Sequence, residues 1–286
     1  MPWTNYHSHS HYCDGKKAPE LHIQSAIAKG FLAFGCSSHA YVPFEQSWSM
    51  KEEKEEAYCK EIKELKEKYQ EQIEIYLSLE VDFIPGMIGP SLMKEKLGLD
   101  YTVGSVHFVD AVENGRPWGI DGTLMRFEEG LEEKYQGDIR AAVKRYYELS
   151  QQMLDEDCPE VLGHMDKIKM HNKGERYFKE TENWYQKTVL DFLESVRASG
   201  TIVEVNTRGL YKKKTFSPYP SPWILEHIHQ MQIPIMLNSD SHHPDDIDKF
   251  YLETAQLLHD IGFRKMRVLL AGEWQDRAFD PKGIIA

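Results

Sequence analysis

Short apolar segments alternate with longer segments of helical periodicity along nearly the whole chain, and this alternation restricts the fold more than any other feature. Strands that alternate with helices predict βα units arranged around a parallel sheet. Seven such strands occur with no linker and no internal repeat between them. They predict a distorted (β/α)7 barrel of the TIM type that forms a single domain over residues 1–286.

The predicted elements have the following bounds. The first strand passes through His7 and His9, and the other six lie at 31–38, 73–79, 101–106, 161–163, 201–205 and 233–237, with a further short strand at 267–270. The helices are 19–29, 51–72, 138–156, 183–199, one that begins at Ser221-Pro222 and one from Pro244 to near Gly262. The segment 110–137 is rich in glycine and charge, so we predict a loop insertion near the active site and a candidate lid.

Composition limits the partners and the location of the protein. The 286 residues are 41% hydrophobic and 28% charged, which is typical of a globular protein. The formal net charge of −12 argues against partners such as nucleic acid or an anionic membrane surface. Because we find no apolar segment of membrane-spanning length and no secretory signal, we expect a cytoplasmic protein. Its four widely separated cysteines predict free thiols and not a disulfide framework.

The first strand carries a pair of candidate metal ligands. Successive side chains on a strand point to opposite faces, so His7 and His9 point the same way and can bind one ion together. A tight turn at Gly15 would bring Asp14 back over the end of this strand. Imidazole and carboxylate ligands suit Zn²⁺, Mn²⁺ or Fe²⁺. The alternative is a histidine-rich strand end whose side chains are solvated.

In barrels of this type the active site lies at the carboxyl ends of the strands. All seven predicted strands end in His, Asp, Glu or Asn, and beyond the first strand these residues are His39, Glu80 with Asp82, His107, His164 with Asp166, Glu204 with Asn206, and Asn238 with Asp240, His242 and His243. Each has an ordinary structural alternative, such as a helix cap for Asp240 or an ion pair with lysine for Glu204. Because core packing favours apolar residues, the joint pattern predicts a cluster of two or three metal ions.

Several of these motifs resemble those of the PHP (polymerase and histidinol phosphatase) superfamily. They are His7-Ser8-His9, Ser38-His39, Glu80, Gly104-Ser105-Val106-His107, Gly163-His164 and Ser239-Asp240-Ser241-His242. The resemblance covers nearly the whole chain and is strongest to the monofunctional histidinol-phosphate phosphatases of histidine biosynthesis. It implies a distorted (β/α)7 barrel that carries a trinuclear centre of divalent metal ions, Zn, Mn or Fe.

Carried over residue by residue, the resemblance implies three sets of metal ligands. The first set is His7, His9, Glu80 and Asp240, the second is Glu80 as a bridge with His107 and His164, and the third is Asp14, His39 and His242. Some members of the superfamily have a histidine at the position of Asp14. This difference leaves the preferred metal open.

The resemblance also implies hydrolysis of a small phosphate ester, histidinol phosphate. We assign catalytic roles to Asp240, His242, Arg208 and His243. Arg208 follows the sixth strand and is the candidate for bidentate contact with the phosphate, the alternative being a surface ion pair. Asp166 is the candidate partner for the substrate amine, although it could instead orient a neighbouring ligand or cap a turn. His243 is a candidate phosphate contact or leaving-group acid. Glu204 and Asn206 are expected to orient ligands or water. Residues 212–214 are three lysines that we expect in a solvated basic loop, the alternative being that one of them reaches the phosphate.

Two other functions stay open at this point. The same metal centre could hydrolyse another small phosphate ester or a nucleotide, or the chain could be a non-catalytic metal-binding module. The acidic net charge disfavours long nucleic acid, and the complete ligand set disfavours a degenerate module. The oligomeric state is not predicted, and a homodimer is one alternative.

Overall fold

The computed structural model describes residues 2–111, 115 and 117–285. Its strands are β1 (Thr4–Asn5), β2 (Ala33–Cys36), β3 (Glu74–Asp82), β4 (Tyr101–Ser105), β5 (Phe108–Ala111), β6 (Pro117–Gly119), β7 (Val161–Leu162), β8 (Ile202–Asn206), β9 (Ile235–Asn238), β10 (Lys265–Leu270), β11 (Glu273–Asp280) and β12 (Gly283–Ile284). Its α-helices are α1 (Pro19–Ala28), α2 (Glu55–Tyr69), α3 (Pro90–Leu97), α4 (Leu124–Tyr135), α5 (Ile139–Glu156), α6 (Asn183–Ser199), α7 (Arg208–Tyr211), α8 (Pro222–Gln230) and α9 (Tyr251–Ile261). Short 3₁₀ helices lie at Glu52–Lys54, Lys167–His171 and Pro244–Asp246.

Seven strands form one parallel sheet in the order β1-β2-β3-β4-β7-β8-β9. The two edges of this sheet meet, because Ser8 forms a parallel bridge with Ser241 and the amide of His9 donates to the Ser241 carbonyl at 2.7 Å. Parallel pairing needs long crossovers, which the helices between the strands supply. The sheet is nearly closed, and the predicted distorted (β/α)7 barrel is confirmed.

The strands of the barrel are buried on both faces, as parallel strands covered by helices must be. In β3, Leu77 and Leu79 on one face and Tyr76 and Ser78 on the other are all at most 4% exposed. This explains why the strands appear in the sequence as short, nearly continuous apolar segments. The polar residues that interrupt them, such as Glu80, come where each strand reaches the carboxyl end of the barrel.

The helices begin and end where the sequence provides caps. The Asp138 carboxylate accepts hydrogen bonds from the amides of Arg140 and Ala141 at the start of α5. Gly200 ends α6 in the left-handed conformation, with φ of 74°. Both helices match their predictions to within one residue. No helix in the described part of the chain has the length and apolar content needed to cross a membrane.

Aromatic side chains fill the interior of the barrel below the polar strand ends. The ring of Tyr6 lies edge-on to those of Tyr101 and Trp274, with centroids 5.9 and 5.8 Å away. The Tyr101 hydroxyl crosses the barrel and donates to the Tyr6 carbonyl at 2.5 Å. A Cβ atom on Gly35 would lie 1.9 Å from that hydroxyl oxygen, so only glycine fits there. The interior is therefore packed, and the site is confined to the carboxyl ends of the strands.

Strands β10, β11 and β12 form an antiparallel sheet that covers the amino ends of the barrel strands. The Ile284 amide donates to the carbonyl of Pro2, just before β1, at 2.9 Å. The Ala271 amide donates to the carboxylate of Glu74, the first residue of β3, at 2.6 Å. The sequence predicted only residues 267–270 of this sheet, and they lie within β10.

The segment 110–137 contains regular structure, so the prediction of a loop is wrong for most of it. β5 and β6 form an antiparallel pair, and α4 follows with the Thr123 hydroxyl accepting from the Arg126 amide at 3.3 Å. A Cβ atom on Gly130 would lie 2.0 Å from the Trp118 indole, so this glycine allows α4 to pack on β6. Glycine here indicates close packing and not a loop. Residues 112–114 and 116 of the segment lie outside the described residues.

Candidate metal centre

The carboxylate of Glu80, near the end of β3, lies between two groups of histidines. Its Oε2 is 3.2 Å from His7 Nε2 and 3.4 Å from His9 Nε2. Its Oε1 is 2.9 Å from His164 Nε2 and 3.7 Å from His107 Nε2. Each oxygen of this carboxylate therefore faces a different group. This is the arrangement that a carboxylate bridging two ions requires.

Asp240 belongs to the first group, with His7 and His9. Its Oδ1 is 3.2 Å from His9 Nε2 and 3.9 Å from His7 Nε2. Asp240 has φ of 52°, in the left-handed region that residues other than glycine seldom adopt. Its carbonyl accepts hydrogen bonds from Arg208 Nη1 at 2.9 Å and Tyr211 Oη at 2.8 Å. These contacts hold a strained backbone at the point where the barrel closes.

The second group consists of Glu80, His107 and His164. Nδ1 of His107 is 3.0 Å from Asp82 Oδ1, so Nε2 is the ring atom left to face Glu80. Asp82 lies two residues after Glu80 on β3 and thus on the same face of the strand. It also forms a compact set with His39 and His107 that could hold an ion. The sequence analysis noted Asp82 at this strand end but gave it no role.

The third group consists of Asp14, His39 and His242, joined by His9. Oδ1 of Asp14 is 3.1 Å from His242 Nε2 and 4.0 Å from His39 Nε2. The turn that returns Asp14 over the strand is as tight as expected, because a Cβ atom on Gly15 would lie 2.3 Å from the His9 carbonyl. All nine predicted metal ligands thus lie in groups whose ligand atoms are within 4.8 Å of one another.

The unsatisfied polar atoms of the site match the donor set of a divalent metal ion. Among the described residues, the buried atoms without a hydrogen-bond partner include His7 Nε2, His9 Nε2, Asp14 Oδ1 and His39 Nδ1. Leaving such an atom unpaired costs about 1–3 kcal/mol, so four of them in one small region need a common explanation. Nitrogen and oxygen donors of this kind fit Zn²⁺, Mn²⁺ or Fe²⁺, and the chain can hold divalent ions here.

The charges of the site also prepare it for metal binding. Burial alone would raise the pKa of Glu80, but the neighbouring rings of His7, His39 and His107 hold that pKa well below its usual range. Asp240 behaves in the same way, with Arg208 as its strongest stabilising partner. Burial lowers the pKa of His9 well below its usual value. Ionised carboxylates and a neutral imidazole are the protonation states that ligate metals.

A layer of buried polar residues orients the ligands from behind. Glu204 Oε1 is 2.6 Å from His7 Nδ1, which leaves His7 Nε2 to face Glu80. The other oxygen of Glu204 accepts from the His164 amide at 2.9 Å and from Asn206 Nδ2 at 3.0 Å. Glu204 and Asn206 are the residues that the sequence analysis expected to orient ligands or water. Such partners fix the ring orientation of a metal-binding histidine and raise its basicity.

The three groups form the floor of a cavity of about 570 Å³. Its wall carries five cationic side chains, namely Arg126, Lys167, Arg208, Lys212 and Lys214. Aromatic rings form another part of the wall, where Trp48 stacks on Phe108 with centroids 5.6 Å apart. Although the chain as a whole is acidic, this cavity offers positive charge to an anionic ligand.

Arg208 lies where the sequence predicted, beside the metal ligands. Its Nη1 is 2.7 Å from His242 Nδ1 and 3.8 Å from Asp240 Oδ1. The guanidinium lines the cavity with its side chain 20% exposed. Arg208 therefore both supports two ligands and presents positive charge to the cavity. A surface ion pair, the alternative considered from the sequence, does not describe this position.

Two predicted substrate contacts are not brought to the cavity. Asp166 is fully buried, forms an ion pair with Lys169 Nζ at 2.7 Å and accepts a hydrogen bond from the Ser221 amide at 3.0 Å. The ring of His243 is 37% exposed and its Nδ1 accepts from the Asp245 amide, outside the residues that line the cavity. Asp166 thus holds neighbouring segments together, and the amine contact predicted for it is wrong.

Sequence reasoning missed several residues of the wall. Lys167 is 6% exposed and lines the cavity, although the prediction selected its neighbour Asp166. Asp121 and Arg126 come from the segment that was predicted to be a loop. The spacing of Phe127, Leu131 and Tyr135, four residues apart, is the helical signal that could have placed Arg126 on α4. Lys212 and Lys214 also line the cavity, which agrees with the alternative that a lysine of this loop reaches the phosphate and not with a wholly solvated loop.

A model of the PHP domain family matches residues 5–208. This range reaches six of the seven barrel strands and contains seven of the nine predicted metal ligands; β9, Asp240 and His242 lie beyond it. The chain belongs to the PHP domain family. The family expected from the sequence motifs is thereby confirmed.

Curated relatives cover nearly the whole of this PHP-domain protein. A probable histidinol-phosphatase of Deinococcus radiodurans is 25% identical over 266 residues, which are 90% of this chain and 93% of the relative. A histidinol-phosphatase of Bacillus subtilis is 25% identical over 262 residues, 86% of this chain and 95% of the relative.

Two solved structures share the fold of this PHP-domain protein. A putative histidinol phosphatase of Listeria monocytogenes has a TM-score of 0.75 at 22% identity, covering 87% of this chain and 98% of that one. A histidinol phosphate phosphatase of Lactococcus lactis, solved with zinc, L-histidinol and phosphate, has a TM-score of 0.68 at 20% identity and covers 99% of both chains.

Proposed function

We propose that this protein is a metal-dependent phosphomonoesterase that hydrolyses L-histidinol phosphate to L-histidinol and phosphate, a reaction of histidine biosynthesis. The observation that carries the proposal is the convergence of three ligand groups around Glu80 on the floor of a cationic cavity. The names of the relatives from Deinococcus radiodurans and Bacillus subtilis support the choice of substrate. A cytoplasmic location, expected from the sequence, stays part of the proposal.

In this proposal the centre holds three divalent ions, Zn, Mn or Fe. The residues that would hold them are His7, His9, Glu80 and Asp240 for the first, Glu80, His107 and His164 for the second, and Asp14, His39 and His242 for the third. Zinc is supported by the Lactococcus lactis structure that contains it. When bound, such ions neutralise phosphoryl oxygens and lower the pKa of bound water toward neutrality.

The side chains of this chain bind and orient the substrate. We assign Arg208 to the phosphate oxygens, since its guanidinium lines the cavity beside Asp240 and His242. Lys167 presents a second cation to the same cavity. The stacked rings of Trp48 and Phe108 offer an apolar surface on which the substrate imidazole could pack. These contacts hold the ester over the metal groups and exclude water from the apolar wall.

One observation favours a second candidate, a phosphoesterase for another small phosphate ester or a nucleotide. Five cations line the cavity, which is more positive charge than a single phosphate monoester needs. A compound with two phosphates would use this charge more completely. The overall charge of −12 still disfavours long nucleic acid. Whether the protein is a homodimer remains a prediction that bears on neither candidate.

A substrate panel tests the proposal. Protein reconstituted separately with Zn²⁺, Mn²⁺ and Fe²⁺ is assayed for phosphate release from L-histidinol phosphate, nucleoside monophosphates, nucleoside 3′,5′-bisphosphates and sugar phosphates. We expect kcat/KM for L-histidinol phosphate to exceed the others by orders of magnitude. The matched control is Glu80→Gln, which keeps the shape of the side chain and removes its charge. A preference for a bisphosphate would support the second candidate, and activity that persists in the control would contradict both.

A further inference from the structure

Asp121 is a carboxylate of the cavity wall that the three metal groups do not use. It lies between β6 and α4, and its side chain is 28% exposed. Among the described residues, the only other carboxylate that lines the cavity outside those groups is Glu45, which is exposed. Among the described residues of the wall outside the metal groups, Asp121 is therefore the one partly buried acidic group, in the same wall as five cationic side chains.

The surroundings of Asp121 leave it free to bind a cation. Its Oδ2 is 3.8 Å from His107 Nε2, and this is its one ion-pair contact among the described residues. The charged groups that face it are His107, Lys167, His39 and His164. Lys167 lies within the same wall but forms no ion pair with Asp121 in the described part of the chain. A partly buried carboxylate without a strong partner is costly, so a cationic ligand would be well placed there.

The chemistry of the proposed substrate supplies such a cation. L-Histidinol phosphate carries an ammonium group that is separated from the ester oxygen by only two carbon atoms. If the phosphate lies on the metal groups, the ammonium group must lie close beside them. Asp121, next to His107 of the second group, is at such a position. Asp166, which the sequence suggested for this role, is buried away from the cavity in its pair with Lys169.

Building on the proposed function, we propose that Asp121 binds the ammonium group of the substrate and so selects amine-bearing phosphate esters over neutral ones. The contact is a charge-assisted hydrogen bond, the stronger kind in proteins. It is made by a residue of the segment 110–137, which therefore contributes specificity to the site. Repulsion between the ammonium group and the cations of the wall makes an anionic partner necessary.

The test uses two substrates that differ only in the amine. L-Histidinol phosphate and its deamino analogue, 3-(imidazol-4-yl)propyl phosphate, are assayed with the wild-type holoenzyme and with Asp121→Asn. We expect kcat/KM for L-histidinol phosphate to fall about 10- to 100-fold, the usual value of a hydrogen bond to a charged group, and that of the analogue to stay nearly constant. Asp121→Glu should recover part of the preference. The control Glu129→Gln, at an exposed carboxylate of α4 that does not line the cavity, should leave both substrates unaffected.

Other results would overturn the proposal. An equal fall for both substrates would assign Asp121 to leaving-group protonation, and a loss of bound metal would make it a ligand. No change for either substrate would remove it from the reaction. If the wild-type enzyme does not hydrolyse L-histidinol phosphate, the proposed function fails. The role of Asp121 is then tested separately with phosphoethanolamine and ethyl phosphate, where it requires that Asp121→Asn reduce activity on the amine alone.

Discussion

His22, in α1, should make the stability of the protein depend on pH. Its side chain is 1% exposed, and neither ring nitrogen has a hydrogen-bond partner among the described residues. Burial lowers the pKa of this imidazole to about 4, with the charges of His243 and His242 acting in the same direction. His22 belongs to none of the metal groups and does not line the cavity, so the stability measurement does not require catalytic activity.

The sign and size of this pH dependence follow from the pKa of His22 in the folded and in the unfolded chain. The folded pKa is about 4, and an unfolded histidine has a pKa of about 6.5. As the pH falls from 6.5 to 4, the unfolded chain binds a proton that the folded chain does not, so stability is complete above pH 6.5 and decreases below it. At pH 5 the loss is about 2 kcal/mol, and near pH 4 it approaches about 3 kcal/mol.

The variant His22→Leu removes the titrating group at similar volume. We expect the difference in the free energy of unfolding, variant minus wild type, to be about 2 kcal/mol larger at pH 5 than at pH 8, because only wild type loses stability on acidification. The matched variant His22→Asn should lose the same pH dependence while keeping a polar group in place. Urea denaturation followed by tryptophan fluorescence measures all three proteins, and the titration of the metal ligands cancels in the difference. An equal pH dependence in wild type and variants would refute the reasoning.

Three further predictions concern the site and its support. Glu204→Gln should weaken metal binding about 10- to 100-fold in chelator competition, because the carboxylate 2.6 Å from His7 Nδ1 is lost; unchanged affinity would contradict this. Lys169→Met should lower the free energy of unfolding by about 3–5 kcal/mol by leaving the Asp166 carboxylate buried without its cation; adding Asp166→Asn should recover part of the loss. Arg208→Ala should raise KM for phosphate esters about tenfold or more, and identical kinetics would exclude the contact.

Much of the fold was predictable because the barrel is built from local signals. Apolar strands, helix caps and the loops between them each depend on residues that are close together in the sequence. Asp138, which caps the start of α5, is an example. The antiparallel sheet β10–β12 was not predictable, because it depends on pairing with distant residues such as Pro2 and Glu74. α4 was missed because the glycine and charge content of the segment 110–137 was interpreted as a loop. Gly130 in that segment instead allows α4 to pack against Trp118.

The site was predictable to the extent that strand geometry determines it. His7 with His9, and Glu80 with Asp82, share a strand face because side chains alternate. The prediction that Asp166 faces the cavity failed because β7 ends at Leu162 and a 3₁₀ helix begins at Lys167. The alternation of side chains along a strand therefore does not extend to Asp166. The turn directs Asp166 toward Lys169, three residues later, and gives the place in the cavity wall to Lys167.

The central claim is that side chains from all parts of the barrel form one metal centre around Glu80. Anomalous diffraction at the zinc edge, from crystals of the zinc-loaded protein, tests it most directly. We predict three anomalous peaks per chain, all bounded by the ligand groups that contain Glu80, Asp14 and Asp240. Peaks located elsewhere, or none between these side chains, would contradict the account.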